Sequence, residues 1–162
     1  MVSKPLRHGA IGALLDEYER AFNELIKVIS LIPDNLLVVI INPETADENC
    51  KSIQSILSHV VNSGFGYATS IHNAKRAKIE RPAKIFHLTM KEYIQDLNDL
   101  FAFTEKVFKE IKDEDLELME NSLLISTNWG KIYDIEQLME HAIVHLLRHR
   151  RQITMINLDR FK

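Results

Sequence analysis

The sequence predicts an all-α protein folded as an up-down four-helix bundle. Three observations carry that reading. The 162 residues include only five glycines and four prolines, and the stretches between these breakers repeat apolar residues every three or four positions rather than alternating. Hydrophobic residues make up 46% of the chain, enough for one domain over 1–162 with a single substantial core. Four amphipathic segments joined by loops of mixed length then bury their stripes most simply against one another.

The first helix spans about Leu6 to Ile32, where Leu14, Tyr18, Phe22, Leu25 and Ile29 form the apolar face and Asp16, Glu17, Glu19 and Lys27 lie between them. Pro33, Asp34 and Asn35 end it, and Pro43 separates the aliphatic run Leu36 to Ile41 from the next helix. That run reads as a short buried connector or a strand-like edge. The second helix starts between Thr45 and Ser52: Thr45 with Glu48 forms a capping-box pattern, and Ser52 is an equally good N-cap. Its core stripe is Ile53, Ile56, Leu57, Val60, Gly64 and Ile71, with His59 at the margin, where a side chain can reach a groove between helices. Taken alone, His59 also suits a half-exposed polar position. Gly64 and Gly66 each cost about 1 kcal/mol of helix propensity, yet they let another helix or a ligand approach closely.

The polar, basic stretch Asn73 to Lys84, closed by Pro82, reads as a helix end followed by a loop. Thr89 with Glu92 opens the third helix, whose stripe runs through Met90, Tyr93, Ile94, Leu97, Leu100, Phe101, Val107, Phe108 and Ile111. An acidic run, KDEDLELME, and the segment SLLISTNWGK are irregular, and Trp129 beside Gly130 suggests a tight turn against the bundle. Asp134 with Gln137 then opens the fourth helix.

That last helix contains His141, His145 and His149, one every four residues, in an otherwise apolar segment. With Ala142 as reference and about 100° per residue, Ile135, Leu138, Met139, Leu146, Ile153 and Ile156 fall within about 60° of it. His149 lies inside this stripe, His145 on its edge and His141 on the flank. A buried neutral imidazole must place one donor and one acceptor, and two of them one turn apart rarely satisfy each other. A divalent metal is an economical partner, since imidazoles at i and i+4 project side by side and a third ligand can come from another helix. A lone HxxxH also suits histidines that are solvated or satisfied within a His-rich helix.

The net charge of −3 argues against a generally basic surface for nucleic acid. Arg148, Arg150, Arg151, Arg160 and Lys162 form a late basic cluster, but such residues suit a helix C-terminus and lack interleaved aromatics. Cys50 is the only cysteine, so neither an intramolecular disulfide nor a cysteine zinc cluster can form. The N-terminal MVSKPLRHGA has no apolar signal core and Leu36 to Ile41 is far too short to span a bilayer, which predicts a soluble, cytoplasmic protein. A ferritin-like di-iron bundle needs two Glu-x-x-His motifs, and no histidine here has glutamate three residues before it.

The run His145-Leu-Leu-Arg-His149-Arg150-Arg151-Gln152 resembles the HxxxHRxQ signature of the DinB-like superfamily of metal-binding four-helix bundles. Ser52 to His59 resembles that family's second-helix pattern, a Ser-Ile start with a histidine six residues after the isoleucine. Helix order and the Trp-Gly turn extend the likeness over nearly the whole chain. The resemblance implies one divalent metal, zinc or nickel, on His59, His145 and His149, with no metal role for His141, which reads as a polar flanking group. Arg151 stands where many members have glycine, on the face opposite the stripe, and Cys50 lies near the place of a tryptophan found in many members, so the pocket wall differs there.

Two functions follow from the resemblance. One is a metal-dependent transferase acting through a low-molecular-weight thiol such as bacillithiol, with a small-molecule thiol or electrophile as partner, or more loosely a metal-activated hydrolase. The other is a metal-binding or stress-response module without turnover. Three neutral imidazoles leave coordination positions open, as catalytic rather than structural sites do. At the ordinary imidazole pKa near 6.5, metal affinity would fall as the pH drops through about 6 to 5. A homodimer is expected as well: relatives of this kind pair through their helices, and Leu36 to Ile41 supplies apolar surface for a symmetric contact.

Overall fold

The computed structural model describes residues 5–116 and 123–160, the last four as backbone only. Among them the regular structure is four long helices, α1 (Gly9–Ile29), α2 (Ile53–Lys75), α3 (Met90–Phe108) and α4 (Ile135–Arg160), with three single-turn 3-10 helices and one two-residue hairpin, β1 (Ile125–Ser126) and β2 (Ile132–Tyr133). The fold is an all-α four-helix bundle. The end of the acidic run, residues 117–120, and the side chains of Arg160 and Lys162 lie outside the described residues.

Three helices begin on reciprocal caps. The Ser55 N–H donates to Ser52 Oγ (3.0 Å) and the Ser52 N–H to Ser55 Oγ (2.9 Å); Thr89 with Glu92 and Asp134 with Gln137 repeat the arrangement. Of the two starts open for α2, Ser52 is used. Upstream, Asp47 instead caps a single turn at Glu48–Cys50, and the Lys51 carbonyl accepts from the Ile41 N–H, so residues 45–51 stay outside the helix. His8 at the start of α1 makes no side-chain cap. The Asp113 carboxylate supplies one from 102 to 103 residues away, accepting from the Ala10 and Ile11 N–H groups at 3.0 Å each. Gly9, at φ +77°, leaves room for that carboxylate, because a Cβ there would lie 2.2 Å from Asp113 Oδ2.

Inward stripes follow the helical period. Leu15, Tyr18, Phe22, Leu25 and Ile29 of α1 are buried against Leu97, Leu100, Val107 and Phe108 of α3 and against Ile135, Leu138, Met139, Leu146 and Ile153 of α4, in one core with Ile53, Ile56, Leu57, Val60 and Ile71 of α2. Around the bundle α1 packs on α3 and α4, and α2 on the same two, so α1 and α2 occupy opposite corners. Contacting pairs give the helix directions. Ser58 meets Tyr93 and Gly64 meets Leu100, so α2 and α3 run the same way. Arg7 bonds Glu105 and Asp34 bonds Met90, so α1 opposes α3, and His59 with His145 and Tyr67 with His141 set α4 opposite to α2.

The all-α bundle expected from sequence is therefore not strictly up-down: α2 and α3 are parallel, which requires the chain to return along the bundle between them. Residues 76–89 do this as an extended crossover held against α2 by side-chain amides: Asn73 bonds Ile79, Asn62 Nδ2 donates to the Pro82 carbonyl (3.3 Å) and Gln54 Nε2 to the His87 carbonyl (2.8 Å). The Tyr93 hydroxyl closes the far end, accepting from the His87 N–H (3.1 Å) and donating to the Gln54 carbonyl (3.2 Å). Extended backbone with no sheet partner must satisfy its polar groups in this way or with water.

Leu36 to Ile41 forms neither a strand nor a wholly buried connector. Leu37 enters the core at 0% exposure, while Val38 and Ile40 remain about half exposed at 52% and 54%. Among the described residues no helix is long and apolar enough to cross a membrane.

Candidate metal centre

His145 and His149 stand one turn apart on α4, and antiparallel packing brings His59 of α2 opposite them. His59 Nε2 and His145 Nε2 are 2.9 Å apart, and one nitrogen from each of the three imidazoles lies within 4.8 Å of the others. Two nitrogens each about 2.0 to 2.1 Å from a common ion stand about 2.9 to 3.4 Å apart, from octahedral to tetrahedral angles. The three rings can hold a metal ion. His149 is buried at 3% exposure while His145 and His59 are half-buried, so the group closes toward the core and opens toward a cavity.

Hydrogen bonding orients these rings. His149 Nδ1 lies 2.9 Å from Gln152 Oε1, which accepts its proton and leaves Nε2 with a free lone pair. Ser63 Oγ lies 3.4 Å from His59 Nδ1, a weaker restraint. Burial pushes the His59 imidazole down to about 4, helped by the neighbouring His149 and Lys84, and the His145 imidazole down to about 3, helped by His149 and His59. Burial lowers His149 as well, against the bond from Gln152. The neutral form that a metal requires is therefore the resting form of these groups at neutral pH.

Residues 8–157 match the DinB family. The chain belongs to the DinB family. No curated protein matches it. The matched span covers α1, α2, α3 and nearly all of α4, and so includes every histidine of the centre.

Around this DinB site lies a cavity of about 790 Å³. His141 is not within the ligand group. Its ring stacks on Trp129 (5.4 Å, 22°) and meets Tyr67 edge-on (5.4 Å), making an aromatic wall beside His145. Trp129 is placed by the hairpin, whose turn uses Gly130 at φ +79°. The cavity is also lined by Asp47, Arg81, Lys84 and Arg148. None of these four was identified from sequence as part of a site. Arg81, Lys84 and Asp47 occupy aperiodic segments, and only the bundle's packing brings them to the histidines. Arg148 could have been found from its place between His145 and His149.

Proposed function

We propose that this DinB protein binds a divalent metal, zinc or nickel, through His59, His145 and His149 and acts as a metal-dependent thiol S-transferase using a low-molecular-weight thiol. The observation that carries this reading is the convergence of three neutral imidazoles on the floor of a cavity large enough for a small molecule. A bound metal would supply the Lewis acidity that holds a thiol ionised at neutral pH. The protein's own part is positional. Gln152 fixes the tautomer and orientation of His149, and the antiparallel packing of α2 on α4 holds His59 against His145. Trp129, His141 and Tyr67 form an aromatic wall that favours an apolar or unsaturated portion of a substrate.

The test has two stages. Purified protein is dialysed against zinc and against nickel, and the bound ion is measured; one equivalent should bind, and His59→Ala and His149→Ala should each reduce retention sharply. Metal-loaded protein is then incubated with thiols and electrophiles, and conjugate formation is followed by mass spectrometry. Absence of metal uptake would overturn the whole reading. Metal uptake with no thiol binding and no turnover would replace the transferase with a non-catalytic metal-binding bundle.

A further inference from the structure

The cavity lining has a charge that the histidine centre does not account for. Arg81, Lys84 and Arg148 line the cavity against a single acid, Asp47, giving a local excess of two positive charges in a chain whose net charge is −3. Asp47 is already engaged, accepting from the Asn49 N–H and side-chain amide at 3.0 Å each. Arg7, Arg20, Arg76 and Arg150 each meet a carboxylate. Arg81 and Arg148 have no hydrogen-bond or ion-pair partner among the described residues.

The fold holds Arg81 in this lining. It follows the Asn73–Ile79 contact and precedes the Asn62–Pro82 contact, so the crossover is anchored on both sides of it. Gly66 completes the arrangement: a Cβ there would lie 3.1 Å from Arg81 Nη1 and 3.2 Å from its Cδ, so the bare backbone of α2 lets the arginine lie against the helix. Lys84 is steadied by donating to Asn49 Oδ1 at 2.7 Å. Thr69 is also a residue of the cavity wall, buried at 5% exposure, and its hydroxyl has no hydrogen-bond partner among the described residues. Buried hydroxyls are almost always satisfied by protein, water or ligand.

We propose that the cavity binds a small organic oxyanion, a carboxylate or a phosphate ester, whose negative group is received by Arg81, Lys84 and Arg148. Guanidinium groups bind both oxyanions through paired charge-assisted hydrogen bonds, and several cations on one cavity bind an anion better than any one alone. That this anion is the substrate of the histidine centre rests on the metal reading above; the anion site itself does not. The anion meets these cationic groups, and the rest of the molecule lies between the aromatic wall and the histidines.

Trp129 is the only tryptophan and lines the cavity, so its fluorescence reports occupancy. Metal-free and zinc-loaded protein are titrated with succinate against succinamide and with glycerol 3-phosphate against glycerol, with equilibrium dialysis of labelled ligand as a second readout. At least one anion should bind saturably where its neutral counterpart does not, and the pair that separates identifies the oxyanion. Arg81→Gln and Arg148→Gln should each weaken that binding about tenfold, while Arg151→Gln, exposed on α4 outside the cavity, should leave it unchanged. The proposal is overturned if neither pair separates in the metal-free protein, or if Arg151→Gln weakens binding as much as Arg81→Gln. Protein that takes up no zinc yet separates acid from amide refutes the metal reading and supports the anion site; zinc uptake without that separation does the reverse.

Discussion

Acidification tests the centre most directly, because the histidine environment changes the expected result by orders of magnitude. An imidazole with the ordinary pKa near 6.5 must lose a proton to bind metal at pH 5, which weakens binding about thirtyfold per ligand and about a thousandfold for two. His59, held down to about 4, and His145, held down to about 3, are already neutral at pH 5. Together they weaken binding less than about twofold there. His149 is lowered by the same burial, so affinity lost between pH 7 and pH 5 should not exceed the roughly thirtyfold of one ordinary histidine. Release should come as the pH approaches 4, below the window near 6 to 5 expected for unperturbed groups. Zinc affinity is measured by competition with a chromophoric chelator at pH 7, 6 and 5, corrected for the chelator's own protonation. A fall of about a thousandfold by pH 5 would refute the desolvated triad. The metal-free fold gives the companion sign: between about 6.5 and 4 the unfolded chain carries protons on His59 and His145 that the fold does not. Stability is therefore full above pH 6.5 and declines through that window, which urea midpoints at pH 7 and 4.5 will show.

Gln152→Ala removes the acceptor that orients His149; metal affinity should fall about 10- to 100-fold, and unchanged affinity by the same competition assay would show that packing alone sets the ring. Gly64→Ala places a Cβ 2.4 Å from Cδ2 of the fully buried Leu100. Overpacking of about 1–3 kcal/mol matches or outweighs the roughly 1 kcal/mol gain in helix propensity, so chemical denaturation should show no gain and a loss of up to about 2 kcal/mol. A homodimer is proposed on the exposed Val38 and Ile40, and light scattering at micromolar concentration should give twice the 18.8 kDa chain mass; the monomer mass would refute it.

Much of α4 was legible in the sequence because one period governs it: the stripe Ile135, Leu138, Met139, Leu146 and Ile153 is buried, and His149 sits within it. His59 was different. By periodicity alone it is a polar residue at a stripe margin, and only the likeness of two motifs paired it with α4. The hairpin was not legible, since strands of two residues are too short to show alternation. Helix direction was hidden too, because nothing in the composition of residues 76–89 says that they run the length of α2 and make α3 parallel to it. The basic residues of that stretch read as a helix end followed by a loop, and Arg81 and Lys84 acquire their place from contacts with Asn62, Gly66 and Asn73 of α2 and with Asn49.

His59 and His145 meet across 86 residues of sequence. Synthesis runs from the N-terminus, and local elements form before distant ones join. Throughout the time that α1, α2 and α3 emerge, the nascent chain therefore offers one imidazole of the three. Two more arrive together on α4, and they face the first only when that helix settles against α1 and α2. A chain stalled or cleaved ahead of α4 has no way to gather the three imidazoles.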